Sequence, residues 1–406
     1  MHVIFVEPAF PGYQRQFVRA LHDVGAEVSG IGERPFEHLD EELKAWLSSY
    51  ERVGSVTDEG ELTAAVRRIQ SRAWVDRLEA TIEAHVLPAA RAREACTIPG
   101  TSVRTAFHCR DKPEMKRLLR SVGVPCAQSD AASSAAEVRE LAQRFGYPLI
   151  LKPRDAAGAS GTWKASDAVS LEQAIGECGV ADGASIAVEE YIEGHEGFYD
   201  TLTIDGNVHH EFISHYYPNV LEAMRTRWIS PQIVATNRLD APGYQELRAL
   251  GARVIEALGI GTSATHMEWF HGPKGLKFSE IGCRPPGVAH WDVYNDANEF
   301  DLYREWAMAI VYGRGERQPT RAYSAGIIAL RPDRDGRISA YEGTEAIWSR
   351  YGGNITCDYF PPPGTSTQPV EAGYMANAWM RVRHPDYDRL REILDDIGRT
   401  IQVRAR

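Results

Sequence analysis

Two apolar runs flanking a short turn constrain this chain more than any other feature: Thr265-His266-Met267-Glu268-Trp269-Phe270 and Leu276-Lys277-Phe278-Ser279-Glu280-Ile281-Gly282-Cys283-Arg284. Between them lies His271-Gly272-Pro273-Lys274-Gly275, rich in turn formers, so the runs are expected to pair as an antiparallel hairpin. Side chains alternate across a strand, and pairing symmetric about Lys274 sets Glu268 opposite Glu280 on one face. Facing carboxylates repel unless something compensates them. A hard divalent cation with oxygen ligands does so, and magnesium that also holds substrate phosphates suits the pair best. A solvated edge hairpin that carries two acids is the other reading of the same residues.

With 406 residues, 43% of them hydrophobic and 25% charged, the chain can bury several cores. Its length suggests about three domains. A net charge of -11 with no basic tract argues against nucleic acid or an anionic membrane as main partner, which leaves small molecules. No stretch approaches the ~20 apolar residues that span a bilayer. The opening Met1-His2-Val3-Ile4-Phe5-Val6 reads as a first strand rather than a leader. Six scattered cysteines, with no Cys-x-x-Cys pair, fit reduced thiols, and a cytoplasmic protein is expected.

The apolar run 2–7, a helical pattern from Gln16 to Val24 and a strand from Val28 to Ile31 predict a small doubly wound parallel sheet. Gly30-Ile31-Gly32 is not followed by the rest of a dinucleotide fingerprint, so no dinucleotide is expected there. A helix over 84–94 precedes a boundary near residue 103. Asp111-Lys112-Pro113-Glu114 then reads as a helix start with a capping box. Helix 135–145, strand 148–152, a small-residue loop 155–162 and strand 185–192 make an α+β lobe. A mixed region from Asp200 to about Tyr312 contains helix 244–258 and the hairpin. Strands 326–331 and 376–383 with helix 386–397 suggest a C-terminal α+β unit.

Lys152 ends a strand, and Asp155-Ala156-Ala157-Gly158-Ala159-Ser160-Gly161-Thr162 has almost no side-chain bulk. Backbone amides there can approach a phosphate, with the lysine adding fixed positive charge, although no Walker sequence closes the loop. Glu189 and Glu190 can form a hinge whose backbone pairs with an adenine edge, and Glu196 can accept ribose hydroxyls. Each acid alone is equally a solvated lobe connector.

The succession Asp111-Lys112, Leu149-Ile150-Leu151-Lys152-Pro153 with its glycine loop, Val188-Glu189-Glu190-Tyr191-Ile192-Glu193-Gly194, Glu268 and Glu280-Ile281-Gly282-Cys283-Arg284 resembles the ATP-grasp superfamily. The resemblance covers nearly the whole chain and is closest to the carboxylate-amine ligase branch of L-amino acid ligases and biotin carboxylases. It implies a mixed α/β and α+β fold. Residues 1–103 would be a Rossmann-like pre-ATP-grasp domain and 104–315 the ATP-grasp domain, with a small lobe of about 112–190 and a large lobe of about 191–315. Residues 316–406 would be an α+β cap.

The resemblance also implies site roles. Lys112 and Lys152 would contact ATP phosphates, Lys152 with a catalytic part. Gly158, Ser160, Gly161 and Thr162 would close over them, Glu189, Glu190 and Ile192 would frame adenine, and Glu196 would hold ribose. Glu268 and Glu280 would bind Mg2+, with Mn2+ as a substitute, and Arg284 would steady the transferred phosphoryl group. One departure stands out: Gly282 occupies a position where many members carry Asn, which removes an oxygen from a second metal's shell.

The implied reaction is attack of a substrate carboxylate on the γ-phosphate, followed by an amine that displaces phosphate to form an amide. Arg225 and Trp228, with His215-Tyr216-Tyr217-Pro218, can line a pocket for an amino acid-like carboxylate, or can serve only in packing and solvation. His266 and His290 flank the metal and arginine positions and are candidates for substrate contact or for structural hydrogen bonds. The alternatives are a relative of biotin carboxylase or of a formate-dependent transformylase, and an ATP-binding regulator without turnover. Family members are often homodimers. The residues do not name the carboxylate or the amine.

Overall fold

The computed structural model describes residues 1–154 and 161–406. At the N-terminus, strands Ser49–Arg52, Glu27–Gly32, His2–Val6 and Arg77–Glu79 lie side by side in that order, all parallel. The His2–Val6 strand is buried along its whole length, which explains its uninterrupted apolar run. Helix Arg15–Asp23 follows it, as the sequence pattern predicts.

A second sheet has the order Ser129–Ala132, Ile186–Glu190, Leu149–Pro153, Trp163–Ala165 and is antiparallel throughout. Helices Ala135–Phe145 and Ala168–Glu177 cover it through Val138, Leu141, Leu171 and Ile175. Asp111 caps helix Lys112–Ser121 by accepting the Glu114 amide at 3.1 Å. The Glu114 carboxylate turns to Arg117 instead of completing the expected capping box.

The third sheet organises the molecule. Its eight strands run in the order Gly275–Gly282, Ser263–Gly272, His195–Ile204, Asn207–Tyr217, Gln232–Ala235, Ser324–Leu330, Ala378–His384 and Ile355–Tyr359, each antiparallel to its neighbour. Three C-terminal strands therefore continue this sheet, while Ile338–Glu342 and Gln402–Ala405 pair in a small sheet of their own. Both faces are covered, so successive residues enter different cores. Phe198, Leu202 and Phe212 pack with Phe17, Trp291 and Trp306. Tyr199, Ile213 and Met267 pack with Leu250 and Val254 of helix Gln245–Leu258.

The edge hairpin pairs Glu268 with Glu280 as expected, by a different route. Pairing runs to Gly272↔Gly275, so the turn is only Pro273-Lys274 and is centred half a residue before Lys274. A tight turn of that register would set Glu268 opposite Ser279. The ladder slips between Trp269↔Phe278 and Glu268↔Glu280, leaving Ser279 as an extra residue. This bulge restores the glutamate pair to one face.

Candidate active site

The second sheet faces the hairpin edge of the third across a cavity of about 450 Å³ lined by Lys112, Lys116, Lys152, Glu189, Glu196, Glu268 and Glu280. Helix Lys112–Ser121 supplies two of the lysines, strand Leu149–Pro153 the third. Glu189 lies between them, with Lys116 Nζ at 2.6 Å and Lys152 Nζ at 2.9 Å. Lys152 also approaches Glu280 at 3.5 Å, and Lys112 approaches it at 3.7 Å.

Burial alone would raise the Glu189 carboxyl. Lys116 and Lys152 override it and hold the group at about 2. Glu280 is likewise held at about 2 against its burial, by Lys112, Lys152 and Lys116. Burial pushes the Lys152 ammonium down, yet Glu189 and Glu280 together lift it above the ordinary lysine value. Lys116 goes the other way. It is almost wholly buried, with Lys152 as a like-charged neighbour, and its desolvation outweighs the pull of Glu189.

A second cavity, also about 450 Å³, adjoins the first and shares Val220, Glu268 and Glu280 with it. Phe198, Tyr216, Met224, Ile233 and Tyr374 give it an apolar wall, and Arg284, His266 and Glu83 give it charge. Arg284 donates Nε to Glu83 at 2.6 Å and a terminal nitrogen to the Pro285 carbonyl at 2.8 Å. A Cβ on Gly282 would stand 3.0 Å from that Glu83 carboxylate and 3.3 Å from Arg284 Nε. The glycine thus leaves room for the Glu83–Arg284 pair.

His266 Nδ1 donates to the Asp200 carboxylate at 2.8 Å, and Tyr294 donates its hydroxyl to the same carboxylate at 2.6 Å. Burial would lower His266, but Asp200 and then Glu268 raise it to about 9, so the imidazolium persists at neutral pH. His290 is different: burial, with His266 beside it, holds it down to about 3. It is neutral, with Nε2 and Ser214 Oγ 3.0 Å apart.

The remaining expected residues divide. Glu190 pairs with Lys274, and its amide donates to Gln128. The Tyr191 amide donates to Pro148, while Ile192 lines the first cavity. Glu196 is buried among acids, on the same sheet face as Glu268. Desolvation, then Glu268, push its carboxyl up to about 8, and its Oε2 accepts the Val220 amide at 2.7 Å. Gly161 and Thr162 are described, and Thr162 lines the first cavity; Gly158 and Ser160 lie outside the described residues.

Arg225 borders the first cavity, donating to the Thr162 carbonyl at 2.6 Å, and does not join His266 and His290 in the second. Trp228 lines neither cavity. It is 88% exposed on the segment that leads from helix Val220–Ala223 to strand Gln232–Ala235, so the expected pocket role is not met. Tyr216 does line the second cavity, while His215 turns to His195 and Tyr244.

Sequence reasoning missed Lys116 and Glu83. Lys116 carried a usable signal, since it lies four residues after Lys112 on the same helix and so on the same face. Glu83 carried none, because its partner Arg284 is 201 residues away.

Residues 117–300 match the family model of the ATP-grasp domain. The chain is 27% identical over 249 residues to the L-arginine-specific L-amino acid ligase of Bacillus subtilis, covering 60% of this chain and 59% of that protein. It is 26% identical over 172 residues to the N-terminal section of the carbamoyl phosphate synthase large chain of Methanopyrus kandleri, covering 40% of this chain and 28% of that protein. The chain thus spans less than two thirds of the length of these curated relatives. Among solved structures, an L-amino acid ligase from Bacillus licheniformis superposes with a TM-score of 0.79 at 16% identity, over 100% of this chain and 98% of that one, and so shares the fold. The similarity to the ATP-grasp domain thus spans residues 117–300 of this chain.

Proposed function

We propose that the protein is an ADP-forming carboxylate-amine ligase that makes an amide or peptide bond through an acyl phosphate. The observation that carries this reading is the seam at Glu268 and Glu280, where a lysine-lined cavity meets an apolar cavity bearing Arg284. Triphosphate in the first and a carboxylate in the second would meet at that seam. Glu268 and Glu280 offer the hard oxygen donors that Mg2+ or Mn2+ prefers. Bound there, such an ion would neutralise phosphate charge.

The residues of the chain supply the rest. Lys112 and Lys152 hold phosphate oxygens, with Gly161 and Thr162 and, by sequence, Gly158 and Ser160 closing over them. Ile192, Glu189 and Glu190 border the adenine, and Glu196 lies toward the ribose. Arg284, held by Glu83, presents a fixed cation to the transferred group. The carboxylate oxygen forms a bond to the γ-phosphorus as the bridging oxygen departs with ADP. An amine nitrogen then attacks the acyl carbon, phosphate leaves with the bonding electrons, and the amine gives up its proton. Closing the site against water protects the acyl phosphate.

Residues 1–103, 104–315 and 316–406 are read as the pre-ATP-grasp, ATP-grasp and cap domains, in a cytoplasmic protein that pairs as a homodimer. Among the described residues no helix is long and apolar enough to cross a membrane. The test is incubation with ATP, Mg2+ and pooled amino acids and small carboxylates, following ADP and condensed products by mass. Carboxylate-dependent ADP release with a product mass of two substrates less water supports the ligase. Release that depends on bicarbonate points to a carboxylase relative, and ATP binding without turnover in any pool to a regulator. Glu280→Ala and Arg284→Ala should each abolish product while ATP still binds. Unchanged product in both would defeat the assignment.

A further inference from the structure

At the other end of strand Asn207–Tyr217, away from both cavities, two histidines and a glutamate converge. Consecutive strand residues ordinarily point to opposite faces. Here the ladder slips between Val208 and His210, and His209 is the extra residue. The bulge brings its ring beside that of His210, with centroids 4.3 Å apart. Glu305, from helix Leu302–Tyr312, completes the group with Oε2 3.0 Å from His210 Nε2. One ligand atom from each of the three residues lies within 4.8 Å of the others.

We propose that His209, His210 and Glu305 form a zinc site, three-ligand and open to one water, that pins strand Asn207–Tyr217 to helix Leu302–Tyr312. Two imidazoles and a carboxylate are a donor set that zinc accepts, whereas magnesium prefers oxygen alone. His209 Nε2 is buried and has no hydrogen-bond partner among the described residues.

Space is provided as well. A Cβ at Gly315 would fall 1.9 Å from His209 Nε2 and 2.8 Å from Glu305 Oε2, so the glycine keeps that volume clear. The amides of Glu316 and Arg317 donate to the two Glu305 oxygens at 2.9 and 3.0 Å. They orient the carboxylate, as outer-shell partners of a metal ligand do. His209 itself is only partly buried, which gives an ion a way in from solvent.

Untagged, chelator-stripped protein, held in saturating Mg2+, would be titrated with Zn2+ against a chromophoric competitor. One tightly bound zinc per chain is expected, together with a rise in melting temperature. His209→Ala should weaken binding by about 100-fold or more and remove that rise, while Glu268→Gln should keep both. If His209→Ala does not fold, His209→Gln takes its place, and Co2+ bound to the wild-type protein should show the intense visible absorption of a four-coordinate site. No zinc binding, equal binding by the wild type and a folded His209 variant, or a six-coordinate Co2+ spectrum would each overturn the proposal.

Discussion

Replacing Glu189 with glutamine keeps the shape of the side chain and removes the one charge that lies between Lys116 and Lys152. Its carboxyl falls from an ordinary 4.5 to about 2 in the folded protein. At about 1.36 kcal/mol per pKa unit, that difference corresponds to roughly 3 kcal/mol of folded-state stabilisation at neutral pH. Removing one partner of a buried ion pair ordinarily costs about 3–5 kcal/mol, so the two routes agree. Because the folded value is depressed, the contribution is complete above about 4.5 and is lost as the pH falls toward 2. Native-state hydrogen exchange of the amides in Ile186–Glu190 and Leu149–Pro153 reads the opening of this sheet directly. Glu189→Gln should lower their protection by about two orders of magnitude at pH 7 and flatten its decline below pH 4.5. Lys116→Met should cost less, since its desolvation already opposes its charge, and should partly rescue Glu189→Gln. A loss under about 1 kcal/mol, or the same acid dependence in mutant and wild type, would refute the reasoning.

Glu83→Gln removes the carboxylate that holds Arg284 Nε at 2.6 Å. A loss of about 100-fold in kcat, with KM for ATP little changed, is expected from steady-state assays; an unaltered kcat would show that Arg284 needs no anchor. Trp228→Ala should shift stability by no more than about 0.5 kcal/mol in urea denaturation, and a larger loss would mean that the exposed ring has a partner. Deleting Ser279 removes the bulged residue and should leave a folded hairpin in a plain register in which Glu280 still faces Glu268. Metal-dependent turnover should survive with circular dichroism retained, and its loss would refute the view that the bulge serves only to pair the two acids.

Much of the fold was legible because it follows from local periodicity. The buried parallel strand His2–Val6, helix Ala135–Phe145 and the Asp111 cap each announce themselves within a few residues. The glutamate pair was legible through alternation, although the two-residue turn and the bulge at Ser279 cancelled each other in a way no propensity reveals. What sequence could not show depends on distant strands and helices meeting. Three of the C-terminal strands joined the central sheet and two paired apart from it, a division that no local pattern sets. Glu83 reached Arg284 from the first residue of helix Glu83–Ala95, and Trp228 faced outward although its chemistry suits a pocket.

The charges around the seam also bear on what the site admits. Lys112, Lys116, Lys152, Lys164 and Arg225 line the first cavity, and the formally anionic Glu189, Glu190, Glu222, Glu268 and Glu280 answer them, while Arg284 is matched by Glu83. Glu196, with its carboxyl pushed up to about 8, adds little charge at neutral pH. Among the described residues the site is therefore close to balanced before any ligand arrives. A bare triphosphate would bring in several negative charges that nothing in this balance offsets, beside acids that repel it. On the proposed reading, a triphosphate accompanied by divalent cations would enter nearly neutral, and those cations would find Glu268 and Glu280 on the facing hairpin. The same lysine and glutamate arrangement would therefore select the metal complex of the nucleotide over the free anion.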